Sequence, residues 1–435
     1  MNYVGIVNLV FFIISGLLTL YLFHFIFFAI VGMIHKKRFP SSNEYSKYGV
    51  VISAKDEENV IPRLINSIKS TDYPQDKLDI IIIAHNCVDN TASLAKSLGA
   101  RVIVYNNENE RTLGYAYHYA FKHIDVNKYD GFVFLNADNV LKKDYFKKLN
   151  DAFVYYKKNS PITTFRHALN VKDSALAATY AYYFATPCLL SYAGREVFNV
   201  SARVTGCGFL VPSRMLVDGW NYVSITEDIE FSNNKVLEGE TIHYCDDAIF
   251  YDEQPNEFKV AWFQRLRWSK GQLLANKKFF GKFFKALFDK NKKNKMSLFI
   301  CLTFNSFIPL FSFFLAVFQI VLLLMSPIFG ISLSETFLFW DSTRSWFYNM
   351  FLSFNVGALF SIAKSIIFLL LYGYLSTTFT LIASRGKYKG QPFSKMLLGY
   401  LIFPFFIYLQ IPLDLTSLFV KNMKWRKVPH GKNKN

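Results

Sequence analysis

The chain has 435 residues, 52% hydrophobic and 18% aromatic, with 46 Phe and a formal net charge of +17, a length that allows more than one domain. Such a charge suits nucleic acid or anionic lipid; no nucleic-acid-binding module occurs and the excess Lys and Arg lies beside apolar blocks, so we read membrane lipids as a partner and no nucleic acid. The five cysteines (87, 188, 207, 245, 301) are scattered, odd in number and without CxxC spacing, which excludes a disulfide frame or a zinc site.

Residues 4–34 contain no Lys, Arg, Asp or Glu, and about 20 apolar residues span a bilayer. The block is too long and lacks the basic start of a cleaved signal. Residues 1–36 are therefore expected to form a transmembrane anchor, with His24 turned to a neighbouring helix. Residues 37–272 read as a soluble domain in which strand alternates with helix. "YGVVISA" (48–54), "LDIIIIA" (78–84), "RVIVY" (101–105) and "GFVFLNADN" (131–139) are the strands. "KDEENVIPRLINSIKS", with Pro62 in its first turn, "NTASLAKSLGA" and "GYAYHYAFKHI" are the helices between them. The alternation predicts an α/β domain with a mostly parallel sheet and a site at the strands' C-terminal ends. Asp56, Asp89 and Asp138 fall there. Neither a dinucleotide-binding glycine pattern nor a P-loop is present.

Asp138 in "FLNADNVL" is a candidate carboxylate for a hard divalent cation, although Asn136, Asp138 and Asn139 are equally good helix caps. In "ITEDIEF" (225–231), Glu227 or Asp228 can serve as a base for a hydroxyl proton, or the pair can stabilise a helix start behind Thr226. The aromatic stretch 177–199 suits an acceptor path and an ordinary packed helix alike. "WFQRLRWSKGQ" (262–272) offers Arg265 and Arg267 as planar forks for phosphate oxygens, and Trp262 and Trp268 as stacking faces. The same residues suit a headgroup belt. Residues 273–295 then pair apolar positions with intervening lysines, the pattern of an interfacial amphipathic helix.

Further apolar blocks at 297–325, 352–383 and 394–420 predict a C-terminal membrane bundle over 296–420, followed by a basic tail, 421–435. "HKKR", "DKNKKNK", "RGKYKG" and the tail place the domain, that loop and the tail on the cytosolic side of the cell membrane in a multi-pass topology. With both flanks of the last block cytosolic, Pro404 and Pro412 suggest a re-entrant or interfacial segment, or a tight hairpin.

Taken together, these motifs resemble the membrane-integrated family 2 glycosyltransferases, which include cellulose, hyaluronan and poly-N-acetylglucosamine synthases. Gln264, Arg267 and Trp268 match the family's Gln-x-x-Arg-Trp, and Thr226, Glu227 and Asp228 its Thr-Glu-Asp. Gly206, Cys207 and Gly208 resemble the glycine segment near the acceptor, and the loops carrying Asp56 and Asp89 the nucleotide-binding turns. The family's Asp-x-Asp reads Asn136-Ala137-Asp138, His85 stands where an acid is common, and Leu113 where a lysine is, with Arg111 nearby. The resemblance implies a GT-A domain between an N-terminal helix and a membrane bundle. It implies a UDP-sugar donor held by Asp56, Asp89, Asn136, Asp138, Arg265 and Arg267, with Mg2+ or Mn2+ at Asp138. Asp228 would be the base, with Gln264, Trp268 and residues 206–208 facing a polysaccharide or lipid-linked acceptor. The product would be a β-linked polymer, grown processively and exported, with accessory export or synthase subunits as further partners. A single-sugar glycolipid synthase and a silent partner of a synthase are the alternatives.

Overall fold

The computed structural model describes residues 23–302, 358–384, 386–421 and 423. The expectations for the start of the anchor, for 303–357 and for most of the tail lie outside the described residues.

The helix Phe23–Ile34 (α1) leads into an eight-stranded sheet of order β3-β2-β1-β4-β7-β6-β8-β5. Its strands are β1 (Tyr48–Ala54), β2 (Leu78–His85), β3 (Arg101–Tyr105), β4 (Gly131–Asn136), β5 (Val140–Leu141), β6 (Ile162–Ala168), β7 (Phe209–Pro212) and β8 (His243–Asp252). The first four are parallel throughout. Helices cover both faces of this block, so β1, β2 and β4 are nearly continuous apolar runs. Edge strand β3 instead alternates, with Arg101 and Val104 exposed. Beyond β4 the sheet turns mixed: β7 runs antiparallel to β4 and β6, β5 antiparallel to β8, and β8 parallel to β6. The chain moves from β1 to one side through β2 and β3, then returns to the other side at β4. That reversal opens a crevice at the C-terminal ends of β1 and β4, where open α/β sheets bind ligands. Asp56 and Asp138 sit just past those ends.

The intervening helices are α2 (Ile61–Lys69), α3 (Thr91–Ser97), α4 (Leu113–Phe121), α5 (Tyr145–Tyr155), α6 (Ala175–Pro187), α7 (Ala193–Val197) and α8 (Glu227–Glu238). In α2, Pro62 occupies the first turn and Ile61, Leu64, Ile65 and Ile68 are buried, a single apolar stripe at helical spacing.

Helix α9 runs unbroken over 31 residues, Phe258–Phe288. The boundary expected between 272 and 273 therefore falls inside a helix that carries both the Gln264–Trp268 motif and the amphipathic stretch. Within that stretch the paired apolar positions part company. Phe279 and Phe283 are buried against Val236 and Leu298, while Phe280, Phe284 and Phe288 are exposed. A short helix, α10 (Lys295–Cys301), follows.

Three helices complete the described chain: α11 (Ala358–Ser384), α12 (Phe393–Tyr408) and α13 (Gln410–Phe419). The stretch Phe393–Phe419 is long and apolar enough to cross a membrane, with a mean hydropathy of 1.8. Only Leu409 separates its two helices, and Pro404 lies inside the first. No loop remains for a tight hairpin, one of the three arrangements the prolines allowed. Helix α12 packs on α6 around Ala178, Tyr182 and Phe403, and α13 lies against α9, where Lys270 donates to the Ser417 carbonyl at 3.0 Å.

Two of the lysines expected to meet lipid are buried instead. Lys36 after α1 and Lys387 after α11 both pair with Asp246 of β8, at 3.0 and 3.4 Å. Tyr244 donates to the same carboxylate at 2.8 Å, and Lys36 to the Ala383 carbonyl at 3.0 Å. His24 meets its neighbour as expected, its ring 6.1 Å from that of Phe299 on α10.

Candidate active site

The loop after β1 and the turn after β2 close on each other through carboxylates. Val88 N–H donates to Asp56 at 2.7 Å, and Asp89 accepts from Thr91 N–H at 3.0 Å and Glu58 N–H at 3.2 Å. Asp56 adopts the left-handed backbone, φ 56°. Asp56, Cys87 and Asp89 bring their ligand-type atoms within 4.8 Å of one another. Burial raises the Cys87 pKa, however, and its thiol donates to the Ala54 carbonyl at 3.2 Å. A protonated thiol is a poor ligand, so the trio fits loop closure rather than a metal centre.

At the end of β4, Asp138 is buried. Burial first, then the neighbouring Asp252 and Glu253, hold its carboxyl well above the usual range against the opposing charge of Arg166. Asn139 bridges the two aspartates, donating to Asp138 at 3.2 Å and Asp252 at 2.6 Å. Arg166 Nε donates to Asp252 at 3.0 Å, and its guanidinium lies 3.7 Å from the Phe184 ring centre. Crowded, dehydrated carboxylates at a strand end are hard oxygen donors whose repulsion a divalent cation would relieve, so the residues fit one. Asn136 leaves this cluster one negative charge short of an Asp-x-Asp. Arg166 and Asp252 were not anticipated from the sequence. The signal available was "FYDEQP", which puts two acids at the end of a strand.

The 206–208 segment joins this cluster to the acid pair. Gly206 and Gly208 are left-handed, at φ +75° and +66°. A Cβ on Gly206 would stand 3.9 Å from Asp228 Oδ2, and one on Gly208 would run into the Phe250 ring. Buried Cys207 faces the other way, its sulfur 3.9 Å from Asp252.

Thr226 precedes α8, so Glu227 and Asp228 open a helix whose N-terminal dipole favours negative charge. Burial and the adjacent Asp228 nevertheless push the Glu227 pKa up to about 8. Burial also raises Asp228, but Arg203 and Arg267 act against the rise. Glu230 is occupied elsewhere, accepting from Ser224 N–H at 3.1 Å and from Lys278. Helix α9 reaches the pair through Gly271: a side chain there would collide with Thr226, whose buried hydroxyl has no hydrogen-bond partner among the described residues. Arg267 donates to the Ile225 carbonyl at 3.2 Å and so ties α9 to the turn before the acids.

Trp268 lies nearly parallel to Tyr183 of α6, 8° between planes at 6.4 Å, beside Phe184. Gln264 accepts from Tyr180 at 3.2 Å. The aromatic side of α6 thus packs as a helix and faces the motif at once. Arg265 departs from its expected place at the donor. It is buried on the opposite side of α9, donates to the Phe406 carbonyl at 2.7 Å and Gln410 at 3.3 Å, and stacks 4.0 Å from the Phe406 ring centre. It fastens the C-terminal helices.

Residues 46–271 match the profile of the family described as glycosyltransferase like family 2. The chain belongs to that family. As a glycosyltransferase it is 25% identical over 341 residues to "Probable glycosyltransferase YdaM" of Bacillus subtilis (strain 168), covering 72% of this chain and 76% of that one. A "Probable glycosyltransferase" of Sulfolobus acidocaldarius is 26% identical over 257 residues, 52% of this chain and half the length of that relative. Among solved structures, the mannosyltransferase PcManGT from Pyrobaculum calidifontis, in complex with GDP-Man and Mn2+, superposes with a TM-score of 0.50 over 89% of this glycosyltransferase and 99% of that chain. At 13% identity that likeness is one of fold.

Proposed function

We propose that this glycosyltransferase moves a sugar from a UDP-sugar to an acceptor hydroxyl at the membrane, with inversion, and repeats the step to extend a β-linked polysaccharide exported through its membrane segments. The observation that carries the reading is the acid pair at the start of α8, set between the glycine segment 206–208 and Arg267 of α9. The closed loops at Asp56 and Asp89 would cradle the nucleoside. Asp228, its basicity raised by burial, would take the acceptor proton. The acceptor oxygen bonds to the anomeric carbon from the face opposite the leaving group, and the bond to UDP breaks with its electron pair remaining on the diphosphate. Arg267 opposes that charge as it develops. A Mg2+ or Mn2+ ion held at Asp138 would supply further positive charge against the diphosphate. Glu227 keeps its proton, which spares Asp228 a second buried anion beside it. Trp268, with Tyr183 and Phe184 behind it, offers the acceptor sugar a stacking face. The packing of Phe393–Phe419 on α6 and α9 supports delivery at the membrane, and the Lys- and Arg-rich flanks of the apolar blocks support a cytosolic domain.

A second reading, transfer of one sugar to a lipid acceptor, is favoured by the position of Arg203 beside Asp228 and next to α10. Membranes carrying the protein, given radiolabelled UDP-sugars with Mg2+, Mn2+ or EDTA, separate the readings. Label in an ethanol-insoluble fraction supports the polymer, and lipid-extractable label the glycolipid. Asp228→Asn should lower either by about 10²-fold or more. Binding of UDP without transfer of any sugar would identify a silent partner and refute both.

A further inference from the structure

Between α7 and the glycine segment, residues 198–205 cross the junction of the domain with its apolar helices. Their backbone is tied on every side. Ser201 N–H donates to Ser297 of α10 at 2.9 Å, Ala202 N–H to the Ile242 carbonyl at 2.7 Å, and Val204 N–H to Ser232 of α8 at 3.2 Å. Val200 packs with Phe28 of α1 and Ile300 of α10. From the middle of this rigid stretch Arg203 projects, half-buried. Its charge acts on Asp228 towards the acid pair, and on Tyr192 and Cys301 towards the apolar helices.

The guanidinium of Arg203 makes no hydrogen bond and no ion pair with any described residue. The buried Arg166 and Arg265 each spend their donors on protein partners. A half-buried cation that faces Asp228 and makes no hydrogen bond to a described residue keeps its donors for an incoming anion. Five N–H donors in a planar fork are suited to phosphate oxygens. We propose that Arg203 is a phosphate-binding residue beside Asp228, taking either the headgroup phosphate of a lipid acceptor entering past α1 and α10 or the diphosphate of the donor. The assignment rests on the reading of Asp228 as the base.

Equilibrium binding tests it without requiring turnover. The full-length protein in detergent, as wild type, Arg203→Gln and Arg203→Lys, is titrated with UDP, with farnesyl phosphate and with farnesol as the uncharged control. Thermal unfolding of each variant is measured alongside. The expected result is a tenfold or greater weakening of at least one phosphate ligand in Arg203→Gln, partial recovery in Arg203→Lys, and unchanged farnesol binding. A loss confined to farnesyl phosphate identifies the acceptor headgroup, and one confined to UDP the donor. The proposal is overturned if neither ligand binds the wild type, if both bind Arg203→Gln within twofold of wild type, or if farnesol weakens equally. Asp228→Asn in the transfer assay reports separately on the base. Full activity there with an intact Arg203 effect would refute the mechanism while leaving the phosphate site standing.

Discussion

Glu227 and Asp228 are adjacent in the chain, both raised by burial, and set apart by two arginines. Arg267 acts on both acids, Arg203 on Asp228. Two carboxylates this close do not ionise together readily, and the proton belongs on Glu227, with a pKa of about 8 against 4.5 in the unfolded chain. A folded-state pKa raised in this way gives stability that is complete below 4.5 and is lost as the pH rises through about 8. Glu227→Gln keeps the hydrogen-bonding shape and removes the titration. Thermal unfolding in detergent from pH 5 to 9 should therefore fall more steeply for the wild type than for the variant. Parallel slopes would show that Glu227 is not the group holding the proton.

At the scale of the element, α9 separates two arginines that read alike in the sequence. Residues two apart on a helix are turned about 200° from each other, so Arg265 and Arg267 cannot share a ligand. Replacing Arg265 with Ala strands the buried Phe406 carbonyl, and we expect a stability loss of about 1–3 kcal/mol with the KM for donor unchanged. Arg267→Ala should also lose stability through the Ile225 carbonyl, but it alone should lower kcat at a temperature where both variants are folded. Thermal unfolding and initial rates on the same preparations distinguish them, and equal loss of kcat in both variants would contradict the assignment. The parallel half of the sheet was legible because β1, β2 and β4 each carry their own apolar, β-branched or aromatic run. The acids past their ends were legible from position alone. Strand β6, "ITTFRHA", was not, since it buries Arg166 and His167, and what makes Arg166 tolerable there is Asp252, 86 residues away. The helical spacing that separates Arg265 from Arg267 was present in the sequence. Their shared chemistry concealed it.

For the molecule as a whole, Asp246 joins the catalytic domain to two apolar segments through Lys36 and Lys387. All three side chains are about nine-tenths buried, so salt should affect them little. Removing only the acid, as Asp246→Ala, leaves two buried ammonium groups and should destabilise the protein by about 3–5 kcal/mol. The triple replacement Lys36→Met, Asp246→Leu, Lys387→Met should recover much of that loss in thermal unfolding. No recovery would mean that the junction matters for more than charge balance. The same junction has a consequence in time. Synthesis proceeds from the amino terminus, so Lys36 and Asp246 both exist before Lys387, which follows Asp246 by 141 residues. Until the loop after α11 leaves the ribosome, Asp246 has one of its two cations. The catalytic domain can be fully translated and still await Lys387 and the contacts beyond it, so a chain cut short within the membrane segments would carry every acid and arginine of the site with only the Lys36 half of the junction.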